Sequence, residues 1–251
     1  MKNNNWYPWV VVGLLWVVAL LNYMDRQMLS TMQEAMKIDI SELNKAEAFG
    51  ALMAVFLWIY GFMSPISGMI ADRLNRKWLI VGSLFVWSTV TYLMGYADSF
   101  QELYWLRALM GISEALYIPS ALSLIADWHQ GKSRSLAIGI HMTGLYVGQA
   151  VGGFGATIAA TFSWHSTFHW FGIIGIAYSL ILLFALRENP AHNIKKTNIP
   201  INNTEKKISL LADYLSFSRH GLFGSFFSIL PHPVFPDGQQ KTGYPHYFPR
   251  H

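Results

Sequence analysis

The sequence contains no cysteine, which excludes a disulfide framework and thiolate metal sites without fixing a compartment. Charge is scarce too. Only 13% of the 251 residues are Asp, Glu, Lys or Arg, against about a quarter in an ordinary soluble domain. No phosphate-cradling loop ending in Lys-Ser or Lys-Thr occurs, so ATP-driven pumping has no support in this chain. A nucleophile elbow and a His-Glu metal helix are also missing, and neither an enzyme constellation nor a cofactor site emerges. The net charge of +4 could suit nucleic acid, but the basic residues gather on no single soluble face, so nucleic acid is not an expected partner.

What the chain has instead is apolar residues, 53% of the total, arranged in long runs. Each run approaches the roughly 20 residues that a helix needs to cross about 30 Å of hydrocarbon. Six spans are predicted, at 8–30, 47–68, 78–96, 103–126, 136–160 and 167–186. They are apolar nearly all round, whereas a soluble core helix carries one stripe. The expectation is an all-α membrane protein surrounded by a lipid bilayer. The first run is flanked only by Lys2 and is too long for a cleavable signal, so it is expected to stay as a helix.

The basic residues orient the spans. One side holds Lys2, Arg73, Arg76, Lys77, Lys132, Arg134, Arg187, Lys195, Lys196, Lys206, Lys207 and Arg219; the other holds Lys37 and Lys45. The positive-inside rule then places the N-terminus and the segment after 187 in the cytoplasm. Trp6, Trp9, Trp78, Trp105, Trp164 and Trp170 lie near span ends, where an interfacial aromatic belt is expected.

Arg26 and Arg107 fall inside spans, and a charge at membrane depth faces a partner or a wet cavity. Asp25 precedes Arg26, and the two side chains point about 100° apart on a helix, so both can border one cavity. Glu114 follows Arg107 by seven residues. That spacing aligns Arg107, Gly111 and Glu114 on one face, with the charges about 10 Å apart along the axis. A plainer reading makes these groups structural ion pairs between helices; four ionisable groups in two spans favour function.

Gly68-Met69-Ile70-Ala71-Asp72-Arg73-Leu74-Asn75-Arg76-Lys77 lies between the second and third spans. It resembles the cytoplasmic signature loop of the major facilitator superfamily, with Asn75 in place of a second glycine. Gly68 is expected to allow close helix approach, Asp72 to cap or pair across helices, and Arg73, Arg76 and Lys77 to hold the cytoplasmic side. Asn75 is a residue that tolerates a left-handed turn. A plain basic loop is the simpler alternative. Two further stretches, Asn22 to Gln27 and Arg107 to Pro119, are similar to the anion:cation symporter branch of that superfamily. Within the branch, the resemblance is strongest to hexuronate and related sugar-acid carriers, and it covers about residues 6–220.

The resemblance implies the N-terminal six-helix bundle of a two-bundle carrier, and a substrate-facing tyrosine at Tyr60. The expected substrate is a small organic anion whose carboxylate binds Arg26 or Arg107, since a guanidinium meets a carboxylate as a two-pronged fork. Tyr23 and Tyr60 would hydrogen-bond it, and Asp25 and Glu114 would carry co-transported protons. Substrate on an arginine frees a nearby carboxylate to take up a proton, which gives a physical basis for symport.

Gly144, Gly148 and Gly152 recur every four residues in span five, with Gly153 and Gly155 close behind, a spacing that lets membrane helices touch backbone to backbone. Gln149 is a candidate wall residue there. His165 and His169 have the spacing of a metal pair but no third ligand, and no metal is expected; His141 is expected to be a packed neutral residue. The organisation expected is therefore a bundle over 1–187, a polar cytoplasmic linker and run-up to a seventh helix over 188–223, and an atypical tail over 224–251. Residues 231–249 hold five of the ten prolines, which excludes a regular spanning helix there; a truncation or reading-frame change near 224 is expected, with a genuine disordered cytoplasmic tail as the plainer alternative. The alternative to a proton-linked carrier is a non-transporting half, or one half that joins a second half-carrier chain or a second copy.

Overall fold

The computed structural model describes residues 6–189, so apart from Glu188 and Asn189 the expected linker and tail lie outside the described residues. The described chain runs α1 (Tyr7–Thr31), α2 (Gln33–Asp39), a 3-10 turn (Ser41–Asn44), α3 (Ala46–Arg73) and α4 (Arg76–Met94). It continues through α5 (Phe100–Ala115), α6 (Tyr117–Trp128), α7 (Lys132–Gly152), α8 (Gly155–Phe162) and α9 (Trp164–Ala185). No strand occurs among the described residues. Five helical stretches are long and apolar enough to cross a membrane, with α5 and α6 counted as one, and the bent α7–α8 pair supplies a sixth.

Two of the predicted spans are interrupted. Span four breaks at Leu116, where α5 ends and α6 begins. Pro119 explains it: the ring lacks an N–H and crowds the carbonyl four residues back, at Ala115. Span five is not one helix but two, meeting at 44° around Gly153-Phe154. Glycine's weak helix preference locates that break.

Helices pair mainly as α1 with α7, α4 with α9, and α3 with α5. The first contact is backbone to backbone. A Cβ added at Gly144 would lie 2.6 Å from the Trp16 carbonyl oxygen, and one at Gly152 would lie 2.7 Å from that of Met24. At Gly148 it would overlap the Leu20 carbonyl. The four-residue glycine interval thus lays one bare ridge of α7 along α1 for two turns.

Gly68 has no such role. A Cβ there would meet nothing within 4 Å, so the expectation of a close approach at that residue is corrected. Asn75, which tolerates a left-handed turn, does not adopt one here. Its φ is −71°, and its side chain caps α4 by accepting from the Trp78 backbone N–H at 3.2 Å. An N-cap needs only an extended backbone and a side-chain oxygen, and Asn supplies the oxygen. Trp164 departs from the aromatic belt. It is 2% exposed and donates its indole N–H to Asp39 at 2.7 Å, whereas Trp6, Trp9, Trp78, Trp105 and Trp170 are exposed.

Polar contacts close the two ends of the bundle. At one end the Tyr7 hydroxyl donates to the Ala185 carbonyl at 2.9 Å. Nearby, Arg76 forms an ion pair with Asp127, donates to the Ser123 carbonyl at 3.2 Å, and gives its backbone N–H to Glu188 at 2.6 Å. Asp72 lies exposed within electrostatic reach of Arg76. At the opposite end, His165 hydrogen-bonds the Gly95 carbonyl at 2.8 Å and lies 3.5 Å from Asp39.

Two stability outcomes follow. Gly148→Ala should destabilise the bundle by about 1–3 kcal/mol, the usual range for overpacking, while Gly139→Ala, with open space at its Cβ, should be neutral or slightly stabilising. Arg76→Gln should cost about 1–3 kcal/mol through the abandoned charged partners, and Lys77→Gln should stay close to wild type. Thermal unfolding of the purified chain in detergent reads both pairs.

Candidate functional site

The site begins with α1, where Tyr23 and Arg26 are separated by nearly one helical turn and so share a face. Arg26 crosses to α5 and donates its Nε–H to Glu114 at 2.7 Å. Sequence spacing aligns Glu114 with Arg107, yet it is Arg26, on another helix, that it pairs with. Glu114 is 0% exposed, and the Arg26 side chain is 15% exposed.

Three rings surround the Arg26 guanidinium. Its Cζ lies 4.9 Å from the Tyr23 ring centroid, 4.8 Å from Phe56 and 4.6 Å from Tyr60. Phe56 and Tyr60 lie one turn apart on α3 and stack on each other at 5.8 Å. Such contacts hold a desolvated cation through the ring quadrupole, by about 2 kcal/mol in favourable cases. The expected substrate-facing tyrosine is therefore a wall of the arginine cage, as is Tyr23.

Arg107 is 1% exposed. Its Cζ lies 4.4 Å from the same Phe56 ring, and its Nη1 donates to the Met110 sulfur at 3.1 Å, a weak acceptor. No carboxylate lies within ion-pair distance of it among the described residues. Asp25, also buried, accepts from the Thr91 hydroxyl at 3.3 Å. The four ionisable groups thus divide into a bonded pair, a cation on a ring and a carboxylate on a hydroxyl.

Hydrogen bonding at the centre is incomplete. Arg26 Nη2, Arg107 Nε and Glu114 Oε1 are buried without a hydrogen-bond partner. A buried orphan on a charged group costs more than about 1–3 kcal/mol. Two arginine donors without acceptors are suited to a carboxylate.

Phe56, Thr91 and Met110 carry no signal in the sequence, because an apolar or weakly polar residue in an apolar span is unremarkable. Asp127 could have been found: it ends span four on the side already assigned to Arg76. Gln149 is exposed on α7. His141 is fully buried beside Tyr117, ring centroids 6.0 Å apart. His165 is occupied by Gly95 and Asp39, and no group of three metal-binding side chains occurs among the described residues.

Known proteins share this arrangement of helices. The chain is 30% identical over 203 residues to Protein spinster homolog 1 of Xenopus tropicalis, covering 77% of this chain and 38% of that protein. It is 29% identical to the probable galactarate/D-glucarate transporter GudP of Escherichia coli K12, covering 76% and 43%. To the 4-hydroxybenzoate transporter PcaK of Pseudomonas aeruginosa it is 27% identical, covering 73% and 41%. A crystal structure of a bacterial homologue of the human lysosomal transporter Spinster, inward-facing and unoccupied, superposes with a TM-score of 0.65 at 28% identity, covering 76% of this chain and 44% of that one. The chain thus spans about two fifths of the length of the curated relatives it matches. The family model described as Major Facilitator Superfamily matches residues 15–233, and with the helical bundle this makes the chain a multi-pass membrane member of the Major Facilitator Superfamily of transporters.

Proposed function

We propose that the chain is the N-terminal half of a secondary active carrier that moves a small organic anion, such as a hexuronate or another sugar acid, together with protons. The observation that carries this reading is the Arg26–Glu114 pair beneath Tyr23, Phe56 and Tyr60, with an unfilled donor on the more exposed partner. A carboxylate entering the cage meets Arg26 and competes with Glu114 for it. Once displaced, Glu114 sits wholly buried, where an unpaired ionised carboxylate costs many kcal/mol. Taking up a proton removes that cost, so anion and proton arrive together. Asp25 is a second proton carrier in this scheme and Arg107 a second point of attraction for the anion. Two relatives named for galactarate/D-glucarate and for 4-hydroxybenzoate, all carboxylates, support the anion class.

The orientation we propose has the Arg76 end in the cytoplasm, since Arg73, Arg76, Lys77, Lys132, Arg134 and Arg187 all lie in the segments that meet there. The setting is a bacterial inner membrane, in line with the bacterial carriers among the relatives. Carriers of this kind bind substrate between two repeats at mid-membrane. The coverage of two fifths of each relative therefore supports a second reading, a half that transports only when joined to a second half-carrier chain or another copy. Uptake of labelled glucuronate or galacturonate by proteoliposomes holding this chain alone separates the two.

Arg26→Gln should weaken sugar-acid binding by about 1.5–3 kcal/mol, the usual worth of a hydrogen bond to a charged group, or roughly tenfold to a hundredfold in Kd. Titration calorimetry in nanodiscs measures it, and an unchanged Kd would remove Arg26 from the site. Glu114→Gln should abolish accumulation driven by a pH gradient while sparing exchange of internal for external substrate. Accumulation that survived in this variant would contradict the role of Glu114.

A further inference from the structure

The two arginines differ in what stands between them and Glu114. Arg26 reaches it directly. Arg107 lies on the same helix, seven residues away, and its Nη1 already points along that helix toward Met110, in the direction of Glu114. Two long side chains can close a gap of about 10 Å along a helix axis, and both ends have motive to do so: Arg107 Nε and Glu114 Oε1 are each buried without a hydrogen-bond partner. They remain apart nonetheless.

The Phe56 backbone lies against the intervening level. Gly111 lies between Arg107 and Glu114 on α5, and a Cβ there would come within 2.9 Å of the Phe56 carbonyl oxygen. The missing side chain thus lets the α3 backbone press against α5 at that level. From it the Phe56 ring takes up both cations, with Arg107 Cζ at 4.4 Å and Arg26 Cζ at 4.8 Å from its centroid. We propose that Phe56 is a positioning residue that denies Glu114 its second arginine. The inference rests on the reading of Glu114 as a proton carrier and deepens it.

The consequence is a coupling rule. When an anion takes Arg26, Glu114 has two ways to avoid standing as a bare buried carboxylate: a proton, or Arg107. With the ring in place only the proton is available, so the anion cannot occupy the site without one. With the ring removed, Glu114 passes from one guanidinium to the other and the anion binds unaccompanied. Among the described residues, the charged and titratable groups that interact with Glu114 are Asp25 and Arg26 on α1, Tyr60 on α3 and Arg107 on α5, with Tyr23 beside Arg26. Of these, Arg26 and Arg107 are the cations that can replace a proton on Glu114.

The test needs no substrate. Arg26→Gln reproduces the moment at which Arg26 is lost to Glu114. Infrared spectra of the full chain in nanodiscs at neutral pH should show in R26Q a protonated-carboxyl band assigned to Glu114, read as the difference from R26Q/E114Q so that any contribution of buried Asp25 cancels. Adding F56A should abolish that band as Arg107 reaches Glu114. F56V, which keeps a branched aliphatic side chain in case F56A does not fold, should reduce it. R26Q/F56A/R107Q should bring the band back. A band of undiminished strength in both R26Q/F56A and R26Q/F56V overturns the proposal. A band absent from R26Q but present in R26Q/R107Q also overturns it, because Arg107 would then reach Glu114 past the ring; that result leaves the proton-carrier reading standing. Absence from both defeats the proton-carrier reading and this inference with it.

Discussion

A carboxylate with no exposure to solvent cannot stay ionised at membrane depth unless a cation or a set of donors answers it. In this bundle the answer to Glu114 is Arg26, one helix away, at 2.7 Å. The packing around that bond serves to hold it. α1 is pinned to α7 by glycines that admit its carbonyls, so the helix carrying Arg26 has little freedom to move against the bundle. α3 is brought onto α5 at Gly111, which sets Phe56 and Tyr60 against the guanidinium. Loosening either contact would alter the geometry of a pair that has no solvent to fall back on.

A bond of this kind is also a poor permanent arrangement. A buried ion pair repays its desolvation only when its remaining donors and acceptors are filled, and here Arg26 Nη2 and Glu114 Oε1 are not. An incompletely satisfied pair beside a second buried arginine is the feature on which the proposed exchange of anion and proton rests. In the proposed exchange the cage of rings would keep the arginine oriented, since cation–π contact does not depend on which carboxylate holds the guanidinium.

The helices were legible because six long apolar runs have only one reading in a bilayer, and the ionisable residues of the site were legible because charge in such a run is rare. Their partners were not. Spacing within one helix aligned Glu114 with Arg107, whereas the contact with Arg26 depends on how α1 and α5 face each other, which no single helix encodes. Phe56 was invisible because an aromatic side chain in an apolar span has no distinguishing chemistry until two cations are placed on it. The break at Gly153-Phe154 could have been inferred from the glycine cluster, and that at Leu116 from Pro119. Gly68 and Trp164 depart from expectation for a common reason: each expected role follows from residue type at that place in the chain, and the neighbours that settle the role come from elsewhere.

The most direct test of the account is a count of protons taken up when D-glucarate binds to the purified chain, followed as the pH change in a weakly buffered solution. Competition between the sugar acid and Glu114 for Arg26 predicts net proton uptake on binding near neutral pH, lost in the Glu114→Gln variant. Binding with no proton uptake, or with the same uptake in that variant, would contradict it.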